Sequence, residues 1–374
     1  MENNSYRTWE NINLTTLEHN FKTIAARMSG LEVMTVVKAN AYGQGVRTIA
    51  PVLKQAGSAG FCTATWREAE ELLSLGLPVQ ILGGIFDFEL PEVVHAGCIV
   101  GITDWETANR FNAEAARQNK KLKCHFKLDT GMGRMGILWQ DAPEVIRKVK
   151  QLSHLDCCGI YSHFPKIWSG ESSFAEEQVK RFLFVLDACN ANGIHFDKIH
   201  FANSDAINVF DKVRKAPFNC CRAGIGMYGG YSPESYALGL QPVTSLHTRL
   251  VAARMMPKGH SIGYERTYIL EKDTLVGTIA AGYADGLPLQ LSNRGRVLYK
   301  GKFCPVIGRI SMDYTTIDMS QFSPDEWKTG DTVTLIGQDG DSVIPMEEWA
   351  NIKQTHAYDI LCSVSPRVGR LYTR

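Results

Sequence analysis

The sequence has almost no charge imbalance: 40 lysines and arginines stand against 39 aspartates and glutamates, a formal net charge of +1. Such a chain carries no global field to gather nucleic acid or an anionic membrane surface, and no basic cluster interleaved with aromatics makes up for it. No window approaches the roughly 20 consecutive apolar residues of a membrane span. The opening run Met1-Glu2-Asn3-Asn4-Ser5-Tyr6-Arg7 lacks the apolar centre of a secretory leader. The ten cysteines lack the two-pair spacing of a metal site; Cys157-Cys158 and Cys220-Cys221 are direct neighbours within apolar runs. They read as reduced, small core residues of a cytoplasmic protein. A dinucleotide fingerprint is missing as well. Gly131-Met132-Gly133-Arg134-Met135-Gly136 matches the letters G-x-G-x-x-G, but no well-formed helix and no ribose-binding acid follow at the right distance.

What is present is a core-forming chain of 374 residues with 44% hydrophobic content, enough for one large barrel and a smaller partner domain. Over the first 235 residues, short apolar runs alternate with amphipathic segments. The runs are Val33–Val37, Gly60–Ala64, Val79–Leu82, Ile99–Ile102, Lys123–Leu128, Cys157–Tyr161, Lys198–Phe201 and Cys221–Met227, eight in all. Helical stretches are predicted over 65–75, 104–119, with Asp104 as N-cap, and 174–192. Eight strand–helix units over this length predict an α/β fold, a TIM (β/α)8 barrel, which typically takes about 250 residues. An open, doubly wound sheet is the alternative, since alternation alone does not prove closure.

After about residue 235 the segments become short, β-branched and closely spaced. Thr248–Arg254, Tyr264–Leu270, Leu275–Ala280, Arg296–Tyr299, Val306–Met312, Thr315–Ile317 and Thr332–Ile336 predict a mainly β C-terminal domain, with Lys300-Gly301-Lys302 as a hairpin turn. The expected division is therefore 9–235 for the barrel and 236–374, together with the N-terminal 1–8, for the β domain.

The run Val36-Val37-Lys38-Ala39-Asn40-Ala41-Tyr42-Gly43 puts a lysine at the end of a buried strand. Desolvation pulls an ammonium group down from its ordinary pKa of about 10.4, which makes a lysine a nucleophile toward an aldehyde, or a base. The bland alternative is a lysine that caps the strand and snorkels to water. In a barrel, the residues just after each strand meet at one rim. Those residues are Lys38 and Tyr42 after the first run, Asp129 to Arg134 after the fifth and Ser162-His163 after the sixth. Asn203-Ser204 follow the seventh, and Arg222, Gly224 and Ile225 belong to the eighth. Each has an ordinary reading: His163 as a core histidine, Arg134 as a surface ion-pair partner, Asn203-Ser204 as a helix cap. Yet the loops after strands seven and eight are where barrels often bind phosphate. A Schiff-base lysine opposite a phosphate cradle asks for pyridoxal 5'-phosphate.

At this point the chain resembles the bacterial alanine racemases, a family of pyridoxal-phosphate-dependent enzymes. The resemblance runs from about residue 9 to 370, through Val36 to Gly43, Asp129-Thr130-Gly131-Met132-Gly133-Arg134, Ser162-His163-Phe164, His200-Phe201-Ala202-Asn203-Ser204 and Arg222 to Gly229. It continues through Gly263-Tyr264, Gly282 to Gly286, Gly308 to Asp313 and Ala357-Tyr358-Asp359. The resemblance implies racemisation of L- and D-alanine by two bases. Lys38 holds the cofactor and serves one face, while Tyr264, delivered by the partner subunit of a homodimer, serves the other with His163 as its helper. It further implies Arg222 beside the pyridine nitrogen, oriented by His200. A guanidinium cannot accept a proton there, so the ring is a restrained electron sink and the α-carbon is readily reprotonated. Phosphate contacts are implied for Tyr42, Ser204, Gly224, Ile225 and Tyr358, with Asn203 lining the loop. The substrate carboxylate falls to Arg134 and the Met312 amide, and Lys127 matches a lysine that is carbamylated in some relatives. In a bacterium the product would serve the cell wall.

Several residues depart from the family pattern. Gln44 stands in place of a histidine, Leu289-Gln290 where arginine is frequent in the access corridor, and Ser311 and Tyr314 in place of cysteine and glutamine. Glu265-Arg266 replace glycine and a small residue. If 264–270 is a strand, Arg266 shares a face with Tyr264. The alternative within the family is a serine or broad-specificity racemase; retention of Tyr358 favours alanine. Diamino-acid decarboxylases share the layout but do not need Tyr264 in the two-base role. Single-domain pyridoxal-phosphate-binding barrels lack the β domain.

Overall fold

The computed structural model describes residues 6–165, 167, 172–230 and 238–374. The expected boundary at 235/236 and residues 1–5 of the N-terminal segment lie outside the described residues. Strand β1 (Thr8–Asn13) precedes β2 (Glu32–Val36), β3 (Gly60–Thr63), β4 (Val79–Ile81), β5 (Ile99–Ile102) and β6 (Leu122–Asp129). A two-residue β7 (Ile137–Leu138) follows, then β8 (Leu155–Tyr161), β9 (Lys198–His200) and β10 (Cys220–Ala223). From β2 to β6 and β8 to β10, eight strands pair in parallel. The sheet closes because β10 returns to β2, with Arg222 opposite Met34. The barrel is therefore closed, and the open-sheet alternative falls.

Each of the eight apolar runs is a barrel strand, because a strand covered on one side by helices and facing a packed interior needs apolar residues on both faces. Helices follow where caps were legible. Asp104 accepts from Thr107 N at 2.6 Å to start Trp105–Arg117, and Thr65 begins Trp66–Glu70 with a reciprocal capping box to Glu68. Ser173–Ala191 fills the third predicted stretch. The stretch 131–136 is a loop leading into β7, not the opening of a helix, so its glycine pattern binds no dinucleotide in the Rossmann manner.

The second domain is a nine-stranded sheet with its own core. Its long strand β11 (Thr244–Met256) runs antiparallel to β1, which also lies parallel to Gly369–Thr373. Arg296–Tyr299 and Lys302–Pro305 form a hairpin across Lys300-Gly301, both at positive φ as a tight two-residue turn requires. Two predicted strands are absent. Tyr264–Arg266 is a tight 3-10 turn, with only Tyr268–Ile269 extended beyond it. Val306–Met312 is a loop, interrupted by Gly308 at φ +78° and contributing a single bridge from Val306 to Ile317. Among the described residues, no helix is long and apolar enough to cross a membrane, and no cluster of histidine, cysteine and carboxylate groups could hold a metal. All ten cysteines are free thiols, most of them buried.

Candidate active site

The backbone after β2 does something rare. Ala39, Asn40, Ala41 and Tyr42 all have φ between +52° and +55°, a left-handed helical turn built from residues with side chains. Each such residue costs roughly 1–2 kcal/mol relative to the right-handed form, so the turn must be held from outside. Ala39 N donates to Glu68 Oε1 at 2.7 Å, while the other carboxylate oxygen takes Ala64 N at 2.7 Å. Asn40 Oδ1 accepts from Val46 N at 2.8 Å. Arg370, from the last strand of the β domain, donates to Gly43 O at 2.6 Å. Helix Ala357–Ser363 packs so closely that a Cβ on Gly43 would meet Leu361 O at 2.7 Å. Lys38 is therefore fixed at the start of a strained turn clamped by both domains. It is half-buried, less enclosed than the sequence suggests. The lysine deepest in the barrel is Lys127, only 7% exposed. Burial, then the cations Arg134, Arg222 and Lys38, pull Lys127 down from 10.5 to about 8.

Tyr42, at the end of the turn, meets the loops after β9 and β10. Gly224 N and Gly226 N both donate to Ser204 Oγ, at 2.9 and 3.3 Å. A Cβ at Gly224 would stand 2.8 Å from Tyr42 Oη. Tyr358 comes in from the β domain with its ring 6.5 Å from that of Tyr42, edge to face. Ile225 is buried at the start of the short turn Ile225–Tyr228. Asn203 caps its own helix, accepting from Ala206 N at 3.0 Å, and donates to Phe164 O. Its ordinary reading as a cap is therefore real, whereas Ser204 binds the neighbouring loop rather than its own helix.

Arg222 is buried, and among the described residues no carboxylate pairs with it. Its guanidinium donates to His200 Nδ1 at 2.5 Å, to Ser162 O at 2.7 Å and to His163 Nδ1 at 3.4 Å, and it lies over the Tyr161 ring. His200 Nε2 in turn meets His125 Nδ1 at 2.9 Å. The β8 residue opposite His125 is Gly159, where a Cβ would strike the imidazole at 2.4 Å. His163 is drawn down to about 3 by burial, then by Arg222, Arg134, Lys38 and Lys127. At neutral pH it is an uncharged hydrogen-bonding group. Asp129 gathers the amides of Gly131, Met132 and Gly133, which shapes the loop carrying the exposed Arg134.

One chain does not bring every expected residue together. Tyr264 stands 70% exposed on the β domain, in a cleft of about 340 Å3 with Arg309, Ser311 and Tyr314, and no contact joins it to Lys38 or His163. Met312 is on the same exposed face. Among the described residues its N–H has no acceptor, while its carbonyl takes Ala284 N and Arg367 Nη2. Arg266 donates to Ser261 Oγ rather than sharing a strand face with Tyr264, because the stretch is not extended. Gln44 is buried between Glu10 and Thr244 at the domain junction. Sequence reasoning missed Glu68 and His125. The Thr65-x-x-Glu68 capping pattern was a signal for the first; His125, inside an apolar strand, gave none.

Barrel and β domain, with lysine turn, buried arginine and glycine–serine cradle at one rim, have the layout of a fold-type shared by cofactor-dependent amino-acid enzymes. Comparison with known proteins narrows this. The family described as "Alanine racemase, N-terminal domain" matches residues 12–232, and "Alanine racemase, C-terminal domain" matches 243–372. The alanine racemase of Halothermothrix orenii is 36% identical over 370 residues, covering 98% of this chain and 96% of that protein. The crystal structure of alanine racemase from Streptomyces lavendulae superimposes with a TM-score of 0.91 at 28% identity, covering 99% and 97% of the two chains. That of the Bartonella henselae enzyme, which has covalently bound pyridoxal phosphate, gives 0.88 at 29% identity over 98% and 99%. The chain belongs to the alanine racemase family.

Proposed function

We propose that the protein interconverts L- and D-alanine with pyridoxal 5'-phosphate, using Lys38 and the partner subunit's Tyr264 as bases on opposite faces of the α-carbon. The observation that carries this reading is Arg222: a buried guanidinium whose partners among the described residues are all neutral, on the strand between those that lead to the lysine turn and to Ser204. A guanidinium completed by neutral acceptors alone keeps its full positive charge, which suits an unprotonated ring nitrogen and opposes a protonated one. The residues fit the cofactor on this structure's own terms, because the glycine at 224 keeps open a space that a Cβ would close against Tyr42. When bound, pyridoxal phosphate supplies the electron sink that acidifies the α-proton of an amino acid.

The chain's own residues divide the remaining work. The Tyr42 and Tyr358 hydroxyls, Ser204 and the amides around Gly224 and Ile225 hold phosphate. Arg222 would hold the ring nitrogen and, as a permanent donor, would keep a proton off it. Lys38 takes or returns the α-proton on one side. The phenol of Tyr264 does so on the other, with neutral His163 as its hydrogen-bonding neighbour. Arg134 and the amide of Met312 bind the substrate carboxylate. The neutral amine of Lys127, present in part near pH 7, forms an N–C bond to carbon dioxide, gives up one N–H proton to water and becomes a carbamate anion. That relieves the concentration of positive charge and steadies Arg134. The product, D-alanine, serves cell-wall synthesis.

Mixing two inactive variants tests the shared site. Lys38→Ala and Tyr264→Phe homodimers each lack one base in both sites. A random mixture of subunits restores one intact site in half of the dimers, about a quarter of wild-type activity for two-fold symmetric sites. No recovery in a demonstrated heterodimer would refute delivery of Tyr264 from the partner. Assays on L-alanine and L-serine in parallel address the broader-specificity alternative, which Ser311 favours; D-alanine formed much faster than D-serine is the expected result.

A further inference from the structure

Glu265 and Arg266, directly after Tyr264, have φ of +60° and +53°. This region crowds a Cβ and is ordinarily filled by glycine, asparagine or aspartate. Residues of other types persist there only where their surroundings over-determine them. For Glu265 the surrounding group is Arg309, whose Nη1 meets the carboxylate at 2.5 Å. Arg309 belongs to a segment that already lies against this turn: a Cβ on Gly263 would come within 3.0 Å of Arg309 N. Asn293 ties the same two segments together, accepting from Gly308 N at 2.6 Å and donating to Thr267 Oγ1 at 3.1 Å. The Tyr264 hydroxyl has no hydrogen-bond partner within its own chain among the described residues, so within the subunit its direction is set by the turn on which it rides.

We propose that the Glu265–Arg309 ion pair is a positioning device for Tyr264: it holds a strained turn closed so that the phenol keeps one direction without a hydrogen bond from its own chain. This rests on the reading of Tyr264 as the second base. Both partners are partly exposed, so the pair adds little to global stability. Its effect is on geometry, where a displacement of about 1 Å lowers turnover by roughly a hundredfold.

The test uses the cofactor-loaded protein and the variants Glu265→Ala, Arg309→Met and their combination, with Arg309→Lys as the conservative replacement. Each single variant is expected to lower kcat by about ten- to a hundredfold with little change in KM, melting temperature or absorbance of the bound cofactor. The double variant should lose no more than either single one, and Arg309→Lys should recover part of the loss. Tryptic cleavage after Arg266, followed by mass spectrometry, should accelerate in both single variants. Additive losses, or unchanged kcat with unchanged cleavage, would overturn the proposal. Tyr264→Phe separates the two ideas: if it stays active, the second-base reading fails, while cleavage at Arg266 still reports whether the clamp exists.

Discussion

Arg222 donates to Nδ1 of His200 across 2.5 Å, and this single contact settles the proton positions of two histidines. A guanidinium only donates, so His200 Nδ1 is an acceptor and its proton sits on Nε2. That proton is given to His125 Nδ1, which leaves the His125 proton on Nε2, buried without a partner. Burial and Arg222 hold His125 at about 3 and His200 well below its ordinary value.

The pH dependence of stability follows from these histidines. Each has a folded-state pKa below its unfolded value of 6.5, so the unfolded chain binds the proton first as pH falls. Stability should drop below pH 6.5, by up to about 1.4 kcal/mol per pH unit for each histidine. His125→Phe should shallow this acid limb in denaturant titrations between pH 6.5 and 4. An unchanged slope would mean that His125 is already charged in the folded protein.

Glu10 predicts the opposite trend. It is buried on β1 beside Gln44 and Arg370, and burial raises its carboxyl from 4.5 to about 7 despite the arginine. A raised folded pKa means that the folded state keeps its proton while the unfolded state loses it. Stability is therefore given up as pH climbs from 4.5 to 7, by about 3 kcal/mol in all. Glu10→Gln should remove this component and stabilise the protein at pH 8 relative to pH 5. A variant with the wild-type pH profile would show that Arg370 compensates the charge fully.

Glu68 lies outside the cofactor contacts yet holds the turn that carries Lys38. Replacing it with alanine leaves Ala39 N and Ala64 N without their acceptor, at a cost of about 1–3 kcal/mol. Cofactor affinity should fall along with the melting temperature. Glu68→Gln, which keeps an acceptor for one amide, should fall between the two. Equal affinity in all three proteins would show that the left-handed turn is held by Asn40 and Arg370 alone.

Much of the barrel was legible because each strand is an apolar run bounded by polar residues or glycine, and the rim residues follow directly from strand ends. The β domain was harder. Tyr264-Glu265-Arg266 looks like the start of a strand by alternation, but positive φ at two residues with side chains leaves no mark in the letters. Val306 to Met312 has strand composition, yet Gly308 bends it. Lys38 reads as the end of a strand; that the next four residues wind left-handed is decided by Glu68, Asn40 and the docking of Leu361 and Arg370, contacts made across long stretches of chain. Gln44 stood out only as a departure, and its place beside Glu10 and Thr244 required the tertiary structure.

The pairing of β1 with β11 and with Gly369–Thr373 also bears on the order of assembly at the ribosome. Residues 8–13 are made before the barrel strands, but their two neighbours in the sheet, β11 and Gly369–Thr373, are both made after them. The barrel, from Glu32 to Ala223, has all its strands available before the second domain is complete. Growing chains order their domains in sequence as they are made, so strand β1, apolar at Trp9 and Ile12, waits unpaired until β11 has been made and keeps one edge open until Gly369–Thr373 follows. Truncation near the carboxyl end would leave that strand edge bare and prone to pair with another copy.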